Sequence, residues 1–273
     1  MWMNIWTDNV SGRQEMNGSK DLKTIIYFKG VYDTLDLFTD HLIEAFESMG
    51  YGTFVYHTAN EEVSKKMLLR LLDESQEFAV VTFNNLGYNL SFEQSEAAED
   101  EEKKPEEHNI WNYFHIPYID ILMDHPFHYE KPLCNMPETA VILCTDRNHV
   151  KYIRRFFKNI HRTDFLPHAG VELGHKHKPL NDRNIDVLYA GALPIYTVAK
   201  MIPDLHSIPE VDGEHMMQSV LGELVQHPEQ TTEQAIEAYV KTVRGDISDR
   251  RLQEIIVKMR FLDSYATSFF REQ

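Results

Sequence analysis

Three apolar runs in the middle of the chain each give way to a polar cluster that holds a histidine. Tyr118–Met123 runs into Asp124-His125-Pro126-Phe127-His128, and Ala140–Cys144 into Thr145-Asp146-Arg147-Asn148-His149. Phe165-Leu166 runs into Pro167-His168-Ala169-Gly170. Short apolar runs bounded by turn residues and alternating with helical segments read as buried parallel strands. Thr24–Phe28, Thr53–Tyr56 and Phe78–Phe83 have the same character. Between the first two lies an amphipathic helix, with Leu35, Phe38, Leu42, Ile43, Phe46 and Met49 three or four residues apart. Gly50 stands where a helix is closed, and a second helix is predicted from about Asn60 to Ser75. This βαβαβ opening predicts an α/β fold with a Rossmann-like, doubly wound, mostly parallel sheet. A last run, Ile185–Tyr189, brings the strands to about seven, all before Pro194.

Beyond Pro194 the period changes to that of helices, over Tyr196–Met201, Gly213–Gln226, Thr232–Arg244 and Ser248–Phe270. Thr231-Thr232-Glu233-Gln234 has the form of a capped helix start. The chain therefore divides into a weakly structured extension (1–21), a Rossmann-like domain (22–194) and a helical segment (195–273). Within the second, the Glu-rich stretch 93–108 cannot bury apolar surface and reads as a solvated, mobile loop.

Composition narrows the function classes. With 273 residues, 42% of them apolar, the chain can bury a core without staples. A net charge of -16 with no basic stripe argues against a nucleic-acid partner. The two cysteines, Cys134 and Cys144, form no CxxC pair and read as reduced, Cys144 as a small core residue. The N-terminus lacks a signal-peptide pattern, and no stretch approaches the roughly 20 apolar residues that span a bilayer. These features read as a cytoplasmic protein without a membrane span.

In open α/β sheets ligands bind beyond the carboxyl ends of the strands, where these polar clusters fall. His125 suits a general base, with Asp124 orienting it or stabilising its charged form. The alternative is a turn in which Asp124 caps backbone amides and Pro126 fixes the bend. Asp146 suits either a helix cap or a catalytic carboxylate, and Arg147 suits a phosphate or carboxylate. His149 ends the same cluster, and His168 sits in a glycine-bearing turn that suits a ligand contact. Lys151, Arg154, Arg155 and Lys158 make the following helix basic, which complements its dipole. His125, His128, His149, His168, His175 and His177 are numerous, yet no HExxH or similar spacing points to a metal. No GxGxxG, Walker A or GxSxG motif is present, so no cofactor is expected.

The succession Thr82–Gly87, Met123–His128, Cys144–His149, Phe165–Gly170 and Leu188–Gly191 resembles a bacterial glycosyltransferase group. These are the GT-B proteins related to the spore-maturation, CgeB-like, glycosyltransferases. The resemblance covers about Thr24 to Leu193. It implies an N-terminal domain that binds the acceptor, facing a second domain that binds a nucleotide-sugar donor. It also implies metal-independent transfer of the sugar to a hydroxyl of a glycan, protein or small-molecule acceptor. The helices after Pro194 resemble the connector between the two domains. Asp263-Ser264-Tyr265 and Phe270-Arg271-Glu272 look like the lead into the second. The donor domain does not follow, so this chain alone is not expected to turn over. Carried onto these residues, the resemblance makes His125 the base, helped by Asp124, and gives Asn84 and Asn85 to acceptor hydroxyls. Asp146, Arg147, His149, His168 and Gly191 would line the cleft. Two other readings stay open: a non-catalytic Rossmann-like module that binds a sugar or nucleotide, and a hydrolase with a histidine-rich metal site.

Overall fold

The structure, a computed structural model, describes residues 23–73, 77–94, 106–170, 178–185 and 208–263. The expected strand at Ile185–Tyr189, of which only Ile185 is described, the helix at Tyr196–Met201, Gly191, His175 and His177 lie outside these residues, as does everything past Asp263. The chain falls into two compact units, one ending at Val80 and one beginning at Val81.

The first unit opens with β1 (Thr24–Lys29), whose Ile25, Ile26, Tyr27 and Phe28 are all buried. It pairs in parallel with β2 (Gly52–His57), in register from Thr24 with Gly52 to Lys29 with His57. Between them runs α1 (Asp33–Ser48), which ends as the sequence predicts. Gly50 takes φ +90°, its N–H bonds Glu47 O, and the Tyr51 N–H bonds Phe46 O. That is a Schellman closure, completed by an edge-to-face contact of Phe46 and Tyr51 with centroids 5.6 Å apart. α2 (Glu61–Leu72) buries Ser64, Leu68 and Leu72, a stripe at intervals of four. β3 (Phe78–Phe83) begins in this unit, and its first residues pair in parallel with β1.

In the second unit, β4 (Ser91–Gln94) and β5 (Glu106–Asn109) form an antiparallel pair at the two ends of the acidic stretch. The solvated-loop expectation therefore needs correction at these flanks. Phe92 and His108 pack on Tyr113, with centroids 4.9 and 5.5 Å away, so the flanks have apolar partners that a Glu-rich composition hides. α3 (Ile110–Tyr113) follows, with Asn109 Oδ1 capping Trp111 and Asn112. Next come β6 (Tyr118–Leu122), α4 (Glu130–Cys134), β7 (Ala140–Cys144), α5 (Arg147–Phe156) and β8 (Arg162–Phe165). The last strand sits earlier than the apolar pair Phe165-Leu166 suggests. Among the described residues β8 is an edge strand with two of its four residues exposed, and edges tolerate the polar Arg162-Thr163-Asp164. The six-stranded parallel sheet has the order β2-β1-β3-β6-β7-β8, a Rossmann-like α/β arrangement of the flavodoxin type.

The helical segment consists of α6 (Gly213–Gln226), α7 (Thr232–Val243) and α8 (Asp249–Met259). α7 starts with a complete capping box, Thr231 Oγ1 accepting from the Gln234 N–H while the Gln234 side chain accepts from the Thr231 N–H. Each helix buries one apolar stripe: Met216, Val220 and Leu224; Ile236 and Val240; Leu252, Ile255, Ile256 and Met259. These stripes close a core with α6 on α7, α7 on α8, and α8 on α5. No helix among the described residues is long and apolar enough to cross a membrane.

Arg155 fastens this segment to the strand layer. Its guanidinium gives two N–H groups to Glu237, at 2.6 and 3.0 Å, and another to Asp249 at 2.7 Å. Helix-dipole compensation is thus only part of what this base does. Arg155→Ala should lower unfolding stability by roughly 1–2 kcal/mol, the worth of a forked charge-assisted contact that is partly exposed. Urea denaturation at low and high salt measures it, and the deficit should shrink in high salt.

Candidate functional site

The site is built where β3, β6 and β7 release the chain. At the end of β3, Asn84 and Asn85 both adopt left-handed backbone, with φ 48° and 65°. Asparagine tolerates this better than other residues bearing a Cβ, but two in succession still carry strain and must be held. They are held from β6. The Asn84 N–H bonds Ile121 O at 3.2 Å, Asn84 Oδ1 accepts from the Met123 N–H at 2.9 Å, and the Asn85 N–H bonds Asp120 Oδ1 at 2.9 Å. Leu86 O then receives the hydroxyls of Thr82 and Tyr118.

At the end of β6 the two residues of the Asp-His pair go separate ways. Asp124 is exposed, and its Oδ2 accepts from Asn84 Nδ2 at 3.1 Å and from the Tyr129 hydroxyl at 2.7 Å. His125 turns inward and opens the single 3-10 turn Pro126–Tyr129, its Nδ1 accepting from the Phe127 N–H at 3.2 Å. With Nδ1 so occupied, neutral His125 carries its proton on Nε2. That nitrogen is buried and lies 3.3 Å from Glu233 Oε1, an ion-pair distance outside hydrogen-bond geometry. The carboxylate beside His125 is therefore Glu233 from the first turn of α7, while Asp124 meets Asn84 and Tyr129.

At the end of β7, Asp146 caps α5 by accepting from the Asn148 N–H at 2.6 Å. Arg147 is exposed and lays its guanidinium over the Phe165 ring at 4.2 Å. His149 points back toward His125, edge to face at 4.6 Å, and Tyr152 stands 5.1 Å from the same ring. Burial lowers the His149 pKa, and the neighbouring His125 lowers it further. Burial pushes the Glu233 carboxyl up, but the His125 imidazole beside it outweighs this and holds it below its ordinary range. His149 Nδ1 and the Tyr152 hydroxyl are buried without hydrogen-bond partners.

Of the expected site residues, the structure gathers Asn84 and Asp124 in one hydrogen-bonded group and His125 and His149 in one ring cluster. Asn85 is buried, with 4% of its surface exposed, so Asn84 alone of the two asparagines reaches the surface. His168 is exposed and takes part in neither group. Among the described residues no three His, Cys, Asp or Glu side chains are gathered as a metal ion would need. Cys134 and Cys144 are both free.

Sequence reading missed Glu233, Tyr129, Tyr152 and Asp120. Asp120 is the most unusual: a carboxyl with no exposed surface, in the middle of β6, with Oδ2 lacking any partner. Burial pushes its pKa up to about 7, against the smaller opposing effect of the Asn85 amide. A single polar residue in an otherwise apolar strand is the signal for it in the sequence.

A raised folded-state pKa makes Asp120 favour the fold most below its ordinary value of 3.8, and that contribution is lost as pH rises to about 7. Asp120→Asn keeps the oxygen that accepts from Asn85 and removes the charge. The variant should be more stable than the parent above neutral pH, by on the order of 1–3 kcal/mol. The advantage should fade toward about pH 4, and thermal denaturation across that range measures it.

Compared with protein-family models, curated proteins and solved structures, the chain matches none, which leaves a Rossmann-like α/β fold as what is established of its relationships.

Proposed function

We propose that this chain forms the acceptor side of a GT-B glycosyltransferase, which moves a sugar from a nucleotide-sugar donor to an acceptor hydroxyl. The observation that carries the reading is the exposed Asn84–Asp124–Tyr129 group at the carboxyl ends of adjacent strands. Asp124 Oδ2 is held by two donors, which fixes the carboxylate and leaves Oδ1 for a substrate hydroxyl. In the reaction the acceptor oxygen attacks the anomeric carbon, the bond to the nucleoside diphosphate breaks, and the hydroxyl proton passes to a base. Asp124 is the base presented to solvent. In this arrangement His125, with Nδ1 taken by the Phe127 N–H and its proton on Nε2, has no free lone pair to offer an acceptor hydroxyl. Asp146 and Arg147 line the neighbouring strand end, and a second domain would hold the donor.

Calorimetry on this chain with a panel of oligosaccharides and of nucleotide sugars tests the assignment. Glycan binding should weaken at least tenfold in Asp124→Ala, the order expected for losing a charged hydrogen-bond partner. Tight binding of a nucleotide sugar by these residues, untouched by that substitution, contradicts the acceptor-side role. In a polypeptide that includes a donor half, Asp124→Asn should lower kcat by about 10²–10⁴-fold.

The burial of His125 Nε2 against Glu233 favours one second reading, a module that binds a sugar without transferring it. That reading expects the same glycan binding and no release of nucleoside diphosphate when a donor half is supplied.

A further inference from the structure

We propose that Asp120 is a positioning residue of the candidate site. In this assignment its carboxyl holds the Asn84–Asn85 turn, and gain or loss of one proton there shifts Asn84 and, through it, Asp124. The functional meaning rests on the acceptor-side reading, whereas the coupling itself does not.

The connection is continuous in named atoms. Asp120 Oδ1 receives the Asn85 N–H at 2.9 Å. Asn85 is the second of two adjacent left-handed residues, and Asn84, the first, accepts from the Met123 N–H at its side-chain oxygen and donates its side-chain amide to Asp124 Oδ2. A change in the pull on the Asn85 amide therefore acts on a strained turn whose other end carries the exposed carboxylate.

The inner end of this path holds unmet polar groups. Asp120 Oδ2, Asn85 Oδ1 and Asn85 Nδ2 are all buried and all lack hydrogen-bond partners. Buried polar atoms are ordinarily paired, and three orphans on two directly bonded residues need a reason. A neutral carboxyl tolerates such a place far better than a charged one, so the charge state of Asp120 decides how tightly the turn is held. The titratable groups around it do not blur this. Tyr118 on the same strand is pushed well above its ordinary value by burial, and the Cys144 thiol on β7 is pushed up to about 12, also by burial. Both stay neutral where Asp120 changes charge, and burial and the Asn85 amide are what act on its titration among the described residues.

The test is nuclear magnetic resonance on this chain without ligand, from about pH 5 to about pH 9. It follows the Asp120 carboxyl carbon, the Asn85 backbone amide and the Asn84 side-chain amide. The three signals should move together with one midpoint above the ordinary carboxylate range. In Asp120→Asn both amides should remain near their acidic-side positions and stop responding to pH. Asp120→Leu removes the acceptor as well and should release the Asn84 amide, and if that protein fails to fold, Asp120→Asn alone decides. Amides that still titrate in Asp120→Asn overturn the proposal, as does a carboxyl that titrates without moving Asn84. Glycan calorimetry on the same samples separates the two claims. Coupled titration without glycan binding keeps Asp120 as the positioning residue and removes the acceptor reading. Glycan binding without coupled titration does the reverse.

Discussion

The hydrogen bond from the Asn85 amide to the Asp120 carboxyl joins the turn after β3 to the middle of β6. The candidate site depends on it. Two consecutive left-handed asparagines would relax if nothing held them, and with them would go the Asn84 contacts to Met123 and Asp124. The sheet supplies the rigidity for this. Tyr118, Ile121 and Leu122 of β6 and Ile142 and Cys144 of β7 are buried, so the strand ends are fixed by packing before any polar group takes part.

The histidines belong to a different kind of surface. His125, His149 and Tyr152 lie under the start of α7, with Glu233 as the charged partner. Burial lowers the His149 pKa most, and the His125 imidazole 4.6 Å away lowers it further. The helical segment is thus part of the site's construction. Its apolar stripes pack helix on helix, with α8 on α5, Arg155 fastens it, and Glu233 supplies the carboxylate beside His125.

Features fixed by local chemistry were legible in the sequence. The α1 pattern, its Gly50 closure, the Thr231 cap and the βαβαβ opening depend on neighbours along the chain, and each occurs where the spacing puts it. So does the dual reading of Asp146, which resolves to the cap. What the sequence could not show are contacts between residues far apart. Arg155 meets residues 82 and 94 positions away, which no periodicity reveals. Glu233 looked like an ordinary first-turn acid of a helix, and its meeting with His125 exists only once α7 packs. Asp124 and His125 are adjacent on extended backbone and so point apart, and they meet different partners at the strand end.

The two halves of the site respond to protons in opposite senses. Asp120 favours the fold on the acid side and loses that contribution as pH rises toward about 7. His149, depressed from its ordinary 6.5, contributes fully above that value and loses its contribution as pH falls below it. Glu233, depressed from 4.5, adds a loss of the same sign at lower pH. In weakly acidic solution the Asp120 and His149 slopes therefore oppose each other. The turn that presents Asn84 and Asp124 is tied through the Asn85 amide to Asp120, the buried group whose charge changes.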